Sequence, residues 1–459
     1  MSGRDAGARA IGLILTPPSR SSGRHVRYSP STRRLRGTVS DWREFSQRRY
    51  RPFRILAVAQ GFIGALSGPA IVIPLLLGLG AHPALATLLA VLPVIGTTIQ
   101  RFVPAFLDRT DGNLRGLVIL GATIGEPRGL YLAAIVALNA AGILPTWAAI
   151  ALIGLLVGVL GALGAMSYGL LQSWYQIILP DDQRRLVAPR LGGIALGIGS
   201  VVLLPIALSI DGLVAGIGPW AYVIPLSIAG SAGIVAAVML RMLPSPGRIR
   251  VPRHPAAGFA GPNEDRLRRL ARVLNLAGLS AGLAPFLSVY AMTVLESGPG
   301  FAIVISATSS ATLVASSLWV SGHLRGGSSS RLLRASMLLR GVALVGAISA
   351  HPDNPLAPLV VLLVAVLMAA GDSAGQLSAN ERLFRLATGP SVIAFQSGNV
   401  LRNVAAYSIG LTAGAVVMLF GGYVSFAFLF VASGSTRLVA AQQAEVTARI
   451  GHPEVKPSA

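Results

Sequence analysis

The chain has 459 residues, 53% hydrophobic and only 12% charged, about half the charged fraction of an average soluble domain, with a mean hydropathy of +0.67. That balance excludes an ordinary water-soluble enzyme and makes lipid part of the solvent. The lack of cysteine excludes disulfides, thiolate metal sites and cysteine nucleophiles, and the net charge of +21 is placed where it argues against nucleic acid.

In chain order, thirteen arginines fall between Arg4 and Arg54, in a segment rich in Ser, Gly and Pro. Residues 1–50 read as a disordered basic tail, a solvated arm that touches anionic headgroups. Its aromatics, Tyr28, Trp42, Phe45 and Tyr50, do not make a base-stacking face, so no nucleic-acid partner is expected. Apolar stretches long enough to cross about 30 Å of hydrocarbon follow at 54–78, 83–106, 114–140, 145–170, 191–211, 217–240, 270–293, 300–321, 332–350, 356–377, 398–418 and 421–437. They lack period-two alternation, so they are helices and not barrel strands. Alternate loops, near 79–82, 141–144, 212–216, 294–299, 351–355 and 419–420, carry no Arg or Lys. The basic residues therefore sit on one side, which places both termini in the cytoplasm. Trp147, Trp174, Trp220 and Trp319 fall near span ends, as an interfacial aromatic belt requires.

The loop 241–269, with seven arginines and five prolines, reads as a cytoplasmic linker between a six-helix half at 51–240 and another at 270–437, with a tail at 438–459. Internal matches support duplication. Arg128-Gly129 is separated from Arg340-Gly341 by the same interval that separates Arg190 from Arg402, and Pro69 and Pro285 stand at nearly that interval too. Between the second and third spans stands Pro104-Ala-Phe-Leu-Asp108-Arg109-Thr110-Asp111-Gly112-Asn113-Leu114-Arg115. With the six-plus-six architecture and the Leu179–Arg185 segment, it resembles the major facilitator superfamily. The family pattern is Gly, three residues, Asp-Arg, one residue, then Gly-Arg-Arg. Here Pro104 replaces the first Gly, Asp111 displaces the second, and the basic pair shrinks to Arg115. The resemblance implies an all-α bundle of twelve transmembrane helices in two pseudo-symmetric halves, with Asp108, Arg109 and Arg115 closing the cytoplasmic side in one state of the cycle. The other reading of this loop is a solvated turn with weak surface ion pairs.

Charges inside the spans are costly and need partners or a function. Glu126 and Arg128 flank Pro127 near mid-membrane, and Arg340 is the repeat counterpart of Arg128. They are candidates either for binding an anionic substrate, with Glu126 as a proton site, or for structural pairing between helices. Gln60, Ser67, Asn275, Ser280, Tyr290, Asp372, Gln376, Asn403 and Tyr407 are the polar candidates for substrate contact or interhelical hydrogen bonds. The six histidines lie in loops or near span ends, so no metal site or other cofactor is expected. No phosphate-cradling Gly-rich motif is present, which argues against ATP as the driving force. Helix 5 lacks the Gly-Pro pair of the family's drug/proton antiporter signature, since Gly197 precedes Ile198.

The expectation is a monomeric secondary transporter of a small solute, working by alternating access in the cell membrane and driven by an ion gradient, with protons or sodium as the candidate ions, or by the solute gradient itself. A transport-inactive scaffold or receptor of the same fold is the alternative, and an enzyme is not expected.

Overall fold

The computed structural model describes residues 50–178, 181–245, 264–281, 285–324, 329–386 and 390–449. The basic tail 1–49, linker residues 246–263, Leu179-Pro180, the loop at Arg325 and residues 450–459 lie outside the described residues.

The described residues form helices and no strands. The first rod is interrupted: α1 (Arg51–Leu66) stops at Ser67, and α2 (Pro69–Gly78) restarts at a proline, which lacks the N–H needed to continue the ladder. His82 caps α3 (Pro83–Gly96), its Nδ1 accepting from the Ala84 N–H at 3.3 Å. A 3₁₀ stretch, Thr97–Phe102, leads into α4 (Val103–Arg109). The following turn uses the left-handed region at Asp111 (φ 51°) and Gly112 (φ 75°). Asn113 then caps α5 (Leu114–Gly125), accepting from the Gly116 N–H at 2.9 Å. Glu126-Pro127 separates α5 from α6 (Arg128–Ala140). Next come α7 (Thr146–Ile178), α8 (Asp181–Ile217), the 3₁₀ turn Gly218–Tyr222 and α9 (Val223–Met242). Beyond the linker lie α10 (Glu264–Ala281), α11 (Phe286–Thr293), α12 (Pro299–Leu324), α13 (Ser329–Gly346), α14 (Ala357–Leu386), α15 (Pro390–Met418) and α16 (Gly422–Arg449).

Ten stretches are long and apolar enough to cross a membrane, and Pro83–Ile99 is a shorter apolar helix. One of the ten, Leu191–Met242, is 52 residues long and holds most of α8 together with α9. Large apolar side chains such as Leu208, Phe420 and Val424 are exposed, as a lipid-facing surface requires. The chain is a multi-pass membrane protein.

The packing follows a repeated scheme. In the first part, α1 packs on α8 and α9, α3 on α7, α5 on α7, and α6 on α9. In the second part, α10 packs on α15 and α16, α12 on α14, and α13 on both α14 and α16. Every pairing of the first set has its counterpart in the second. The main contacts between the sets, α3 with α15 and α8 with α12, exchange the same equivalent helices. The two Arg-Gly pairs acquire a packing reason. A Cβ on Gly129 would lie 2.3 Å from the Leu226 carbonyl oxygen and 2.5 Å from the Gly230 nitrogen, so α6 crosses α9 backbone to backbone. Gly341 and Gly434 make the corresponding crossing of α13 and α16, where a Cβ on Gly434 would lie 2.8 Å from the Gly341 carbonyl oxygen.

The buried apolar core is distributed unevenly along the rods. At the end remote from residue 50, one cluster joins both sets of helices, running from Leu66 and Ile71 to Phe286, Ile303, Leu411 and Phe430. At the end near residue 50 the described core separates into a cluster around Phe53, Leu114 and Trp174 and another around Leu270, Leu333 and Ala440. Trp174 does not join an interfacial belt: it is fully buried, and its Nε1 donates to the Pro244 carbonyl at 2.9 Å. That bond ties the end of α7 to the exit of α9. Trp147, Trp220 and Trp319 are exposed.

The close crossing makes a stability prediction. Gly129→Ala forces α6 away from α9 and is expected to destabilise the protein by about 1–3 kcal/mol, seen as a lower melting temperature in detergent. Gly64→Ala, where an added Cβ meets nothing within 4 Å, is expected to leave the melting temperature unchanged.

Candidate functional site

A cluster of charges is built inside the second set of helices. Arg340 on α13 is 2% exposed, and its Nη1 pairs with Asp372 Oδ1 on α14. Arg437 on α16 approaches the same oxygen, with Nη2 at 3.7 Å. Its other nitrogens are also engaged: Nε donates to Ser280 Oγ at 2.9 Å, and Nη1 to the Met337 sulfur at 3.1 Å. Ser280 Oγ in turn shares a hydrogen bond with Ser433 Oγ at 2.9 Å. Tyr407 on α15 is within electrostatic reach of Arg340. Gly371 admits α13 beside α14, since a Cβ there would lie 2.9 Å from the Ser336 carbonyl oxygen and 3.2 Å from the Arg340 Cβ.

Asp372 is the part of this cluster that opens outward, with a side chain 40% exposed. Its exposure is not toward lipid. Leu359 and Leu363 mark the lipid-facing side of α14. From Leu363 to Asp372 the helix makes about two and a half turns, which places the carboxylate on the opposite face. Gln376, one turn further, is also exposed and shares that face. The neighbouring Ser373 is buried and bonds Ser317 on α12 at 2.8 Å.

In the first set of helices the charges stand at the break between α5 and α6. Glu126 is buried, and Arg128 Nε donates to Ser67 Oγ at 2.9 Å. The Arg128 guanidinium lies against Gly164 on α7, where an added Cβ would be 3.4 Å from Nη1. Glu126 and Arg128 interact electrostatically. Ser67 and Ser280 stand almost at the interval of the Arg-Gly repeat, and each accepts the Nε–H of a buried or half-buried arginine at the break between two segments of one rod. The repeat therefore extends to the serine acceptor, although the arginine comes from α6 in one case and from α16 in the other.

The remaining candidates are scattered. Asn403 is exposed on α15, and a Cβ on Gly278 of α10 would meet its Oδ1 at 2.6 Å. Asn275, one turn earlier on α10, has a buried Oδ1 with no hydrogen-bond partner. Gln60 is half-buried on α1. Asp108 and Arg109 are exposed at the end of α4, whereas Arg115 on α5 donates from Nη2 to the Arg241 carbonyl at 2.7 Å, satisfying an open carbonyl in the last turn of α9.

Two side chains with interhelical polar contacts escape a reading of the sequence. Arg437 stands at the very edge of the apolar stretch 421–437, but α16 continues to Arg449 and its apolar span to Ala444, so Arg437 is inside the helix. The signal is present in the apolar Leu438–Ala441 that follows it. Asp211 on α8 accepts from the Gly300 N–H at 2.8 Å, in the first turn of α12. Added Cβ atoms at Gly298 and Gly300 would each fall 2.7 Å from its carboxylate. A negative charge at a helix N-terminus is favourable, and here it joins helices from the two sets at the end remote from residue 50.

By sequence, no family model and no curated protein matches the chain. Solved structures do match in fold. A POT family transporter in complex with 5-aminolevulinic acid superposes with a TM-score of 0.67 at 12% identity, covering 87% of this chain and 96% of that one. The xylose transporter XylE from E. coli, in a partially occluded inward-open conformation, gives 0.61 at 13% identity, with 85% and 96% covered. A bacterial homologue of the iron transporter ferroportin, in its outward-facing state, gives 0.60 at 15% identity, with 88% and 100% covered. The chain has the fold of major-facilitator-type membrane transporters.

The Asp211 contact can be tested directly, because the chain has no cysteine and introduced ones label uniquely. Spin labels on Ile217→Cys and Ser297→Cys are expected to report a single short distance. Adding Asp211→Ala is expected to broaden that distribution toward longer distances. An unchanged distribution would show that the carboxylate does not hold α8 to α12.

Proposed function

We propose that the protein is a secondary active transporter that moves a small solute across the cell membrane by alternating access, driven by a proton or sodium gradient. The observation that carries this reading is Asp372, a carboxylate far inside a membrane-spanning helix, backed by two buried arginines and open on the side away from lipid. A charge in that setting is expensive and persists where it handles solutes or ions.

Counting Leu191–Met242 as two passes and Pro83–Ile99 as one brings the total to twelve. The matching packing schemes support two pseudo-symmetric halves of six, with the linker between them and both termini on the cytoplasmic side. In this conformation the apolar core of the described residues bridges the halves only at the outer end, where Asp211 also caps α12. That arrangement supports an inward-facing state, in which Asp372, Gln376, Asn403, Gln60 and Asn275 face or border the interior. Asp108 and Arg109 would engage the opposite half when the cytoplasmic side closes. Arg115 anchors α5 to α9 in the present state. Glu126 is the candidate proton-coupling group of the first half, held beside Arg128 at the helix break.

The test is a ligand-stabilisation screen in detergent, followed by uptake and efflux in vesicles at two pH values. A solute that stabilises the protein is expected to move in vesicles, with a rate that differs between the two pH values. Asp108→Asn is expected to slow that movement severalfold without preventing insertion, while Glu126→Gln is expected to flatten its pH dependence. Stabilising ligands that never cross the membrane would favour the receptor alternative.

A further inference from the structure

The charge cluster in the second half has an unfinished hydrogen-bond arrangement. A guanidinium presents five N–H donors, and the edge formed by Nε and Nη2 matches the two oxygens of a carboxylate. In Arg340 the Nη1 side is taken by Asp372, but Nε and Nη2 are both buried and have no partner among the described residues. Buried donors left open on a charged group are costly, the more so inside a membrane. Arg437, by contrast, places all three nitrogens on Ser280, Met337 and Asp372. Charge is incomplete in the same place: two guanidinium groups face one carboxylate, leaving one positive charge in excess.

We propose that Arg340 is the recognition point for the carboxylate of a small monoanionic solute, a substrate class that rests on the transporter reading above. A monocarboxylate closes both gaps at once. Its two oxygens accept from Nε and Nη2 of Arg340, and its single charge brings the cluster to neutrality. An uncharged amide of the same shape does neither, and a dianion overshoots. The way in is past Asp372, the exposed member of the group. Its Oδ1 already lies between Arg340 and Arg437, so a small side-chain movement transfers it to Arg437 and leaves Arg340 open to the interior. Sharing of Asp372 between the two arginines thus makes binding an exchange of partners.

The experiment uses the full chain in detergent. Thermal stability is measured against a panel of linear, branched and aromatic monocarboxylates, their neutral amides, and inorganic phosphate. Monocarboxylates are expected to raise the melting temperature, and the amides and phosphate to have little effect. Arg340→Lys keeps the charge and the partner for Asp372 but lacks the two-pronged edge, and is expected to weaken carboxylate binding by roughly tenfold or more. Asp372→Asn removes the competing anion and is expected to tighten binding, so carboxylates stabilise this variant more than the native chain. That comparison decides the matter even if Arg340→Lys fails to fold. Equal stabilisation by acids and amides, a preference for phosphate, or no greater effect on Asp372→Asn overturns the assignment. Transport is read separately: vesicle flux of an uncharged solute with no carboxylate binding leaves the transporter reading standing, whereas tight carboxylate binding without flux of any solute removes that reading and keeps this site.

Discussion

The second set of helices is organised around one carboxylate shared by two arginines. Within a membrane-spanning bundle water cannot stabilise a lone guanidinium, so Arg340 and Arg437 require partners on other helices. Asp372 supplies one to both, which fixes α13, α14 and α16 relative to each other. Ser280 brings in α10 through the remaining face of Arg437. Four helices that share no continuous sequence are thereby held by a few polar atoms. Lipid-facing leucines could not set that register, because apolar surfaces slide against lipid tails at little cost.

Glycine completes what the charges begin. Arg128 and Arg340 are each followed by a glycine, and the two residues serve neighbouring faces of the same helix. The arginine reaches toward the bundle interior, and the glycine lets the helix behind approach closely. Recurrence of the pair in both sets of helices reflects a repeated packing unit more directly than a repeated binding site. The two sets then diverge in how the charges are arranged. The first sets Glu126 and Arg128 on either side of Pro127 at a helix break, whereas in the second the buried Arg340 and Arg437 share the single carboxylate of Asp372. That asymmetry is why the proposed solute recognition is assigned to the second set.

Much of this was legible in the residues. The run of apolar stretches, the prolines at the helix breaks and the Arg-Gly repeat all appear as local patterns, since each follows from chain chemistry over a few residues. Asp372 could be singled out because an acid inside an apolar run is rare. Its partnership with Arg340 could not, as the two stand on different helices with a loop between them. Arg437 was hidden for another reason: a hydrophobic run does not mark where its helix ends, and an arginine near the edge of such a run reads as an interfacial anchor. Asp211 gave no signal at all, because a carboxylate near the end of a span is ordinary until another helix begins against it.

From its amino acids alone, this chain was bound to be a set of helices in lipid, because apolar segments of that length leave the backbone no other way to satisfy its hydrogen bonds. Which charges meet was decided only by the packing of those helices. A side chain buried in a bilayer takes its partner from whichever helix lies across the bundle, and that neighbour is set by contacts among residues far apart in the chain.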